Sequence, residues 1–414
     1  MDADLAFHGG APTRDRMLVF GAPLIGPEEI DEVVATLKSG WIGFGPKCQL
    51  FEERFATYTN SPHAVSTSSC TASLQIALRM CGIGPGDDVI TTPMTFAATA
   101  NVIELAGARP VLVDIERHTQ NIDPRLVAHA VTDRVRACIP VHMCGRPCDM
   151  AAIRLISTAR GIEVIEDAAH AIESQHTPYP GGSESRFKAF SFYATKNLTT
   201  GEGGMLTCRD EADADRARTL RLHGLTRHAW QRFSEAGWTP YDVLEPGYKY
   251  NMTDLQASLG LHQLARLEQS LEVRERHWAA YDRAFSSLDE VETPAPAEPG
   301  RRHSRHLYTL ILRPDRLRRT RGAIISALRA EGVGTGVHFV PIHLHPYYAE
   351  KYGFVRGMFP NAEYIGDNTV SLPMSAALSD ADVDDVVRAV HKVIASSRTV
   401  RVNIPFLPSP QLPA

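Results

Sequence analysis

Short apolar segments alternate with amphipathic segments along the first two thirds of the chain. After Gly26 and Pro27, the apolar residues Ile30, Val33, Val34 and Leu37 recur at the spacing of one helix face, and Gly40 ends the pattern. Further helices are predicted at residues 71–80, 124–131, 151–159 and 211–222. β-rich runs lie at residues 63–67, 88–92, 109–115, 136–142, 162–166, 189–193 and 205–207. Apolar strands that alternate with helices predict an α/β fold with a mostly parallel sheet that is covered on both faces.

The pattern changes after Met252, where long helical stretches continue to about Leu288. A segment rich in Pro and Glu at residues 293–300 is typical of a connector. The elements predicted beyond it are a strand at 307–312, a helix at 323–331, a strand near 337–340 and a last helix that begins after Ser379. We therefore predict a large α/β domain at residues 1–262 and a smaller α+β domain at residues 263–414.

Composition narrows the class of protein. The 414 residues are 43% hydrophobic and 22% charged, which is typical of a globular chain with a large core. A net charge of −5, with no long basic run beyond short clusters such as residues 316–321, disfavours nucleic-acid binding. Residues 1–16 have no apolar core that would form a signal or a membrane anchor. The seven cysteines are an odd number, and Cys144 and Cys148 have no second pair at zinc-finger spacing. We expect a cytoplasmic protein with reduced thiols, no metal site and no membrane partner.

Two polar residues follow buried runs at positions where an α/β sheet binds ligands. Asp167 ends the apolar run at 162–166, and ligands bind outside the carboxyl ends of parallel strands. Lys196 follows the run at 189–193 and precedes a glycine-rich turn, where a desolvated amine becomes a nucleophile toward a carbonyl. Taken alone, Asp167 reads as a helix cap and Lys196 as a solvated loop residue.

Other residues supply the remaining parts of one ligand site. Ser69, Cys70 and Thr71 stand between a strand and a helix N-terminus, a position that binds phosphate. Phe96 follows the run at 88–92, where an aromatic ring can stack on a flat ligand. Together with Asp167 for a ring nitrogen and Lys196 for an aldehyde, these residues predict that the ligand is pyridoxal phosphate (PLP).

Eight segments in this order resemble the DegT/DnrJ/StrS family of sugar aminotransferases, and the likeness extends from about Phe20 to Val393. The segments are residues 40–46 (GWIGFGP), 69–72 (SCTA), 95–101 (TFAATAN), 140–145 (PVHMCG), 166–171 (EDAAHA), 191–198 (SFYATKNL), 247–254 (GYKYNMTD) and 337–343 (VHFVPIH). The resemblance implies fold type I, the aspartate aminotransferase fold, with a mostly parallel seven-stranded sheet between helices.

The family likeness also implies roles for the cofactor residues. Lys196 would hold PLP covalently and, once released by substrate, act as proton acceptor and donor. Asp167 would pair with the pyridine nitrogen, Phe96 would stack on the ring, and His170 would lie near the phenolic oxygen. Asn251 would reach the phosphate in the neighbouring subunit, so a homodimer would share its active sites. The remaining implied cofactor contacts are Ser69, Cys70, Thr71, Ala169 and Ser191.

The resemblance further implies transfer of an amino group from an amino acid, with glutamate expected, to a nucleotide-linked keto-deoxysugar. Related sugar dehydratases have His at the position of Lys196, so Lys196 favours transamination. His170 and the segment 249–254 favour amination at C4. The substrate contacts expected on this basis are Trp41, Tyr193, Lys249, His338 and His343, with His228, Trp230, Arg232 and Trp238 in a candidate substrate loop.

Three alternatives stay open at this point. An aminotransferase that acts on C3 of the sugar would share every motif. An enzyme that aminates a cyclitol or makes an aromatic amine precursor is favoured by the opening Gly9-Gly10-Ala11-Pro12. The third alternative is a sensor that binds the cofactor or a sugar nucleotide without turnover. The presence of both Lys196 and Asp167 argues against a sensor.

Overall fold

A seven-stranded sheet is the centre of the computed structural model, which describes residues 5–174, 185–226 and 241–398. Its strands are His63–Thr67 (β1), Asp88–Thr91 (β2), Arg109–Leu112 (β3), Val135–Cys138 (β4), Glu163–Asp167 (β5), Phe187–Ser191 (β6) and Gly204–Cys208 (β7). The strand order is β1-β7-β6-β5-β4-β2-β3. β7 runs antiparallel to both neighbours, whereas the pairs from β6 to β3 are parallel. The predicted α/β class and the mostly parallel sheet are confirmed.

Both faces of this sheet are buried under helices, as the continuous apolar strands predict. Successive strand residues point to opposite faces, so that Ile165 packs in one core and Val164 in another. The helices in this part are Pro27–Ser39 (α1), Pro46–Tyr58 (α2), Cys70–Met80 (α3), Ala97–Leu105 (α4), Pro124–Ala130 (α5), Met150–Arg160 (α6), Glu211–Leu220 (α7) and Asp254–Ala265 (α8). Helices α3, α4 and α7 contribute to the core on one face, and α2, α6 and α8 to the cores on the other.

A second, three-stranded antiparallel sheet follows, in the order β10-β9-β8. The strands of this sheet are Val291–Glu292 (β8), Tyr308–Leu312 (β9) and Thr369–Leu372 (β10). The helices of this part of the chain are Leu267–Phe285 (α9), Arg321–Ala330 (α10), Pro346–Tyr352 (α11), Pro360–Asn368 (α12) and Asp380–Ser397 (α13). Ser379 caps α13, and Tyr281, Tyr308 and Val386 share a core that is separate from those of the large sheet. That core also contains Leu5, and the proposed division after residue 262 falls inside α8. The division into two domains stays a proposal.

The predicted strand near residues 337–340 is wrong. The N–H of Phe339 donates to the Sδ of Met94 in the loop before α4, and Pro341 has no N–H to donate to a ladder. β9 pairs with β8 and with β10, and the sequence pattern did not predict β10. Residues 337–340 contact segments of both parts of the fold, because Phe339 bonds to Met94 and the Nδ1 of His338 is 2.8 Å from the hydroxyl of Ser371 in β10.

The apolar face of α1 is not buried within this chain. The exposed fractions are 56% for Ile30 and 55% for Leu37, whereas the polar residues Glu29 and Thr36 of the same helix are buried. The helix itself is as predicted, with Gly26 as N-cap and Gly40 as C-cap. Within the described residues, no helix combines the length and the apolar character that a membrane span needs.

Candidate active site

A cavity of about 520 Å³ lies where β5 and β6 end and α3 begins. Its walls include all of the predicted cofactor residues except Asn251, together with the predicted substrate residues Tyr193 and His338. Those cofactor residues are Ser69, Cys70, Thr71, Phe96, Asp167, Ala169, His170, Ser191 and Lys196. The position agrees with the expectation that ligands bind outside the carboxyl ends of parallel strands.

Asp167 is the last residue of β5, and its carboxylate is almost fully buried. Oδ2 accepts a hydrogen bond of 2.7 Å from the hydroxyl of Thr99, and Oδ1 accepts one of 3.1 Å from the N–H of Ala169. The thiol of Cys70 also donates to Oδ1, at 3.9 Å. Burial raises the pKa of Asp167, and these donors and the nearby Lys196 oppose that rise. A carboxylate has about four acceptor positions, so Asp167 can also accept a proton-bearing ring nitrogen.

Lys196 lies in the turn after β6, where its backbone N–H donates to the carbonyl of Tyr193 at 2.9 Å. Burial lowers the pKa of Lys196 to about 8, although Cys70 and Asp167 act in the opposite direction. The amine is therefore partly neutral near physiological pH. The neutral form of the amine is the one that attacks an aldehyde. Burial raises the pKa of the Cys70 thiol well above its ordinary value, so Cys70 is an uncharged neighbour of Lys196.

The N-terminus of α3 forms an anion-binding corner of the cavity. Ser69 is the N-cap, with its hydroxyl accepting from the N–H of Ala72 at 3.1 Å, and the first N–H groups of the helix have no acceptor within the helix. Gly204 of β7 closes this corner, because a Cβ there would lie 2.3 Å from the backbone carbon of Ser69. Ser191 adds a hydroxyl from β6. This corner fits a phosphate group.

Aromatic rings and imidazoles line a further part of the cavity, and Glu202 is among the other lining residues. Phe96 is 64% exposed, and its ring centroid is 6.0 Å from that of Phe339. The ring of His170 stacks on Phe339, also with centroids 6.0 Å apart, and lies 4.5 Å from the ring of His306. The Nδ1 of His170 is buried with no partner among the described residues. A flat, polar ligand would cover Phe96 and give that nitrogen a partner.

Several residues in or behind the cavity wall were not predicted as functional from the sequence. Thr99 and Asn197 lie within the segments 95–101 and 191–198, but no local signal distinguishes them as the side chains that contact Asp167 and His306. His306 itself precedes β9 in the second part of the chain, and only the fold brings it to Lys196. Phe20 and Phe339 also line the cavity. A period-2 or helical pattern carries no information about such contacts between distant segments.

Four predicted residues do not line the cavity. Trp41 donates from Nε1 to the carbonyl of Phe44 at 3.1 Å, and His343 is buried with its Nε2 3.0 Å from Glu363. Lys249 donates to the Oδ1 of Asn251 at 2.7 Å, and Asn251 lines a different cavity beside Arg221. His343 is a packing residue in this chain. The candidate substrate residues His228, Trp230, Arg232 and Trp238 lie outside the described residues.

The arrangement fits pyridoxal phosphate. The cavity brings together a carboxylate for the ring nitrogen, an amine of lowered pKa for the aldehyde, an exposed aromatic ring for the flat face and a helix N-terminus for the phosphate. In the residues described, no group of His, Cys, Asp and Glu side chains is arranged to hold a metal ion. The fold and the site therefore define a PLP-dependent enzyme of fold type I.

Comparison with known proteins assigns the family. A model of the DegT/DnrJ/EryC1/StrS aminotransferase family matches residues 23–391, and the chain belongs to this family. It is 49% identical over 382 residues to the spore coat polysaccharide biosynthesis protein SpsC of Bacillus subtilis, which covers 92% of this chain and 98% of SpsC. The chain is an aminotransferase, and its cofactor is pyridoxal phosphate.

Solved structures give the same assignment. The PLP form of a Streptococcus pneumoniae protein designated a sugar aminotransferase superposes with a TM-score of 0.84 at 35% identity, over 92% of this chain and 100% of that one. DesI in the presence of its TDP-sugar product superposes with a TM-score of 0.82 at 30% identity, over 95% of this chain and 97% of that one. The predicted fold type I is confirmed.

The lowered pKa of Lys196 generates a prediction about cofactor loading. We expect the rate at which the apoprotein combines with PLP to rise about tenfold per pH unit up to pH 8 and then to level off, because only the neutral amine attacks the aldehyde. Rapid mixing followed by the absorbance of bound cofactor measures this rate. The reaction of PLP with a lysine ester corrects for the cofactor's own ionisations, and Lys196→Ala is the blank. A rate that climbs steadily to pH 10 would contradict the assigned pKa.

The hydrogen bond from Thr99 to Asp167 generates a second prediction. Thr99→Val keeps the shape and removes the hydroxyl, so we expect kcat to fall about tenfold or more, as for a lost hydrogen bond to a charged group. The pKa of Asp167 should rise further, which moves the acid limb of the pH–rate profile to higher pH. Thr99→Ser retains the hydroxyl and is the matched control. Equal losses in the Ser and Val variants would show that packing, not the hydrogen bond, is what Thr99 contributes.

Proposed function

We propose that this aminotransferase transfers an amino group from glutamate to C4 of a nucleotide-linked 4-keto-6-deoxysugar. The observation that carries the proposal is that, apart from Asp167, Lys196 and Glu202, the side chains that line the cavity carry no fixed charge and include several aromatic rings and uncharged imidazoles. Such a surface suits a sugar, which offers hydroxyl groups and apolar ring faces. The relatives support this class, since SpsC is named for polysaccharide biosynthesis and DesI was solved with a TDP-sugar product.

The residues of this chain have separate tasks in the reaction. Bound PLP supplies an aldehyde that accepts the amino group and a protonated ring that withdraws electrons from the adjacent carbon. The carboxylate of Asp167 would keep the ring nitrogen protonated, and the corner at Ser69 and Ser191 would hold the phosphate. The Nζ of Lys196, once displaced by a substrate amine, would take a proton from the substrate carbon and return it at the neighbouring position. A pKa of about 8 suits both directions of that transfer.

The C4 position rests on residues near the site. His170 follows the Asp-Ala-Ala sequence at residues 167–169 and lines the cavity, and the segment 249–254 resembles the four-amino branch of the family. Amination at C3 would use the same cofactor residues, so only the substrate can separate the two. The cyclitol and sensor alternatives are separated by the same measurement.

We also propose that the enzyme acts as a homodimer with shared active sites. The apolar face of α1 at Ile30, Val34 and Leu37 is exposed in the single chain, and exposed apolar stripes of this kind mark interfaces. Asn251 lines a cavity other than the one that contains Lys196, and Lys249 donates a hydrogen bond to Asn251. A two-fold partner would cover the stripe and would place the side chain of Asn251 toward the partner's cofactor.

A single-turnover experiment tests the proposed reaction. The enzyme is loaded with pyridoxamine phosphate and mixed, in separate reactions, with a thymidine- or uridine-linked 4-keto-6-deoxyhexose, with the 3-keto isomer or with a cyclitol ketone. We expect the absorbance of the aldehyde form of the cofactor to return with the 4-keto sugar alone, because the amine leaves the cofactor only when the substrate ketone is correctly placed. Lys196→Ala should give no catalysed return.

The other outcomes of this experiment assign the alternatives. Return with the 3-keto isomer alone overturns the C4 position and retains a sugar substrate. If the absorbance returns with a cyclitol ketone but with neither sugar, the proposed sugar substrate is wrong. No return with any ketone, from an enzyme that still binds the cofactor, favours the sensor.

Subunit complementation tests the shared site. Lys196→Ala and Asn251→Ala homodimers should each be nearly inactive. After the two are unfolded and refolded together, random pairing should make about one quarter of all sites intact, because half of the dimers are mixed and each mixed dimer has one site with both native residues. Steady-state activity of the mixture measures this fraction. A mixture no more active than its parents would contradict a site built from two chains.

A further inference from the structure

A buried chain of polar side chains connects the residue after Lys196 to one imidazole of the cavity wall. Arg274 and Glu173, both fully buried, form an ion pair. The Nδ2 of Asn197 donates to the Oε1 and Oε2 of Glu173 at 3.1 and 3.0 Å and to the carbonyl of Ser304 at 2.9 Å. The Oδ1 of Asn197 is 2.9 Å from the Nδ1 of His306.

This series of hydrogen bonds determines which ring nitrogen of His306 holds the proton. A carboxylate and a carbonyl only accept, so the end of Asn197 that faces Glu173 and Ser304 must be its NH₂ group. Oδ1 must then face His306, and an oxygen without a proton requires a donor, so Nδ1 of His306 is the protonated nitrogen. Nε2 consequently has a lone pair and no proton.

The surroundings of His306 keep the ring uncharged. Its side chain is buried, and the positive groups Lys196 and Arg274 lie close enough to disfavour a second proton, so its pKa is well below the ordinary value. The ring lines the cavity, and Nε2 has no hydrogen-bond partner among the residues that the structure describes. The cavity wall thus carries an acceptor that cannot become a donor.

The backbone holds this acceptor in place. The N–H groups of Ser304 and His306 donate to the carbonyls of Gly145 and Cys144, at 2.9 and 3.2 Å. Gly145 has φ +91°, and a Cβ there would lie 2.8 Å from the carbonyl oxygen of His170 and 2.9 Å from the Cβ of Ser304. The absence of a side chain at Gly145 therefore lets the His170 and His306 segments approach each other.

We propose that the Nε2 of His306 accepts a hydrogen bond from a hydroxyl group of the sugar substrate, and that Asn197, Glu173 and Arg274 are positioning residues that fix its tautomer. This inference rests on the proposed sugar substrate and deepens it. The amino-acid donor carries carboxylates, which have no proton to give to Nε2, so His306 favours the sugar over the donor in this part of the cavity.

His338 provides a contrast on the same wall. Its Nδ1 is 2.8 Å from the hydroxyl of Ser371, and a hydroxyl can donate or accept, so no tautomer of His338 is imposed. Of these two imidazoles, His306 is therefore the one with a fixed acceptor.

Two measurements test the inference. In the wild-type protein, ¹⁵N NMR of labelled histidines, assigned by subtraction of the His306→Gln spectrum, should show His306 protonated at Nδ1 alone from pH 6 to 8. In steady state, His306→Phe should raise the KM for the keto sugar about three- to tenfold, as for one lost neutral hydrogen bond, and leave the KM for glutamate and the dissociation constant of PLP unchanged. Ser174→Ala is the matched control, since it removes a neighbouring hydrogen bond to Ser304 and leaves Asn197 intact.

Each contrary result has a specific meaning. A proton on Nε2, or an imidazolium, overturns the fixed acceptor even if His306→Phe does not fold. An unchanged sugar KM with weaker PLP binding makes His306 a cofactor contact, and a raised KM for glutamate places the donor there; both overturn the substrate assignment. If the wild-type enzyme accepts no keto sugar, the proposed function fails, and the assignment of the sugar hydroxyl is overturned with it, whereas the tautomer is decided by NMR alone.

Discussion

The site depends on a carboxylate that is held at the end of a central parallel strand, almost out of contact with water. Burial works against the charge of Asp167, so the structure surrounds it with donors from different elements: the hydroxyl of Thr99 from α4 and the N–H of Ala169 from the turn after β5. A buried carboxylate of this kind is best stabilised by a positive partner, and a protonated ring nitrogen supplies one. Under the proposed pairing with the ring nitrogen, the burial of Asp167 would therefore also favour a cofactor whose ring carries a proton.

The same dry environment accounts for the other ionisable groups of the cavity. Desolvation lowers the pKa of Lys196, and it lowers the pKa of His170, His306 and His338 as well. Lys196 itself contributes to the effect on all three imidazoles when it is charged. One physical cause therefore favours both a neutral amine at Lys196 and uncharged imidazoles in the same cavity.

Local sequence patterns predicted the elements and residues that depend on local structure. Asp167 ends an apolar run, Lys196 lies in the turn after another, and Ser69 precedes a helix, so their positions follow from strand and helix boundaries. His306 is 109 positions from Asn197, and no periodicity links the two. His343 shows the converse: it stands in a motif, but it is fully buried and Glu363 from α12 pairs with it. Residues 337–340 look like a strand because they are apolar, yet they pack against the loop that follows β2.

Under the proposed function, one cavity must serve a keto sugar and an amino acid in turn, and the uncharged imidazoles and aromatic rings of the wall bear on how it does so. A fixed positive charge near Lys196 would hold the carboxylates of the amino donor, but it would leave a buried charge without a partner when the sugar is bound. Neutral acceptors and aromatic rings avoid that penalty for the sugar and disfavour carboxylates locally. The ion pair that sets the acceptor, Arg274 with Glu173, lies behind the wall, where each charge has its partner at every stage of the cycle. The charged groups that orient His306 are therefore separated from the cavity surface that the two substrates would contact in turn.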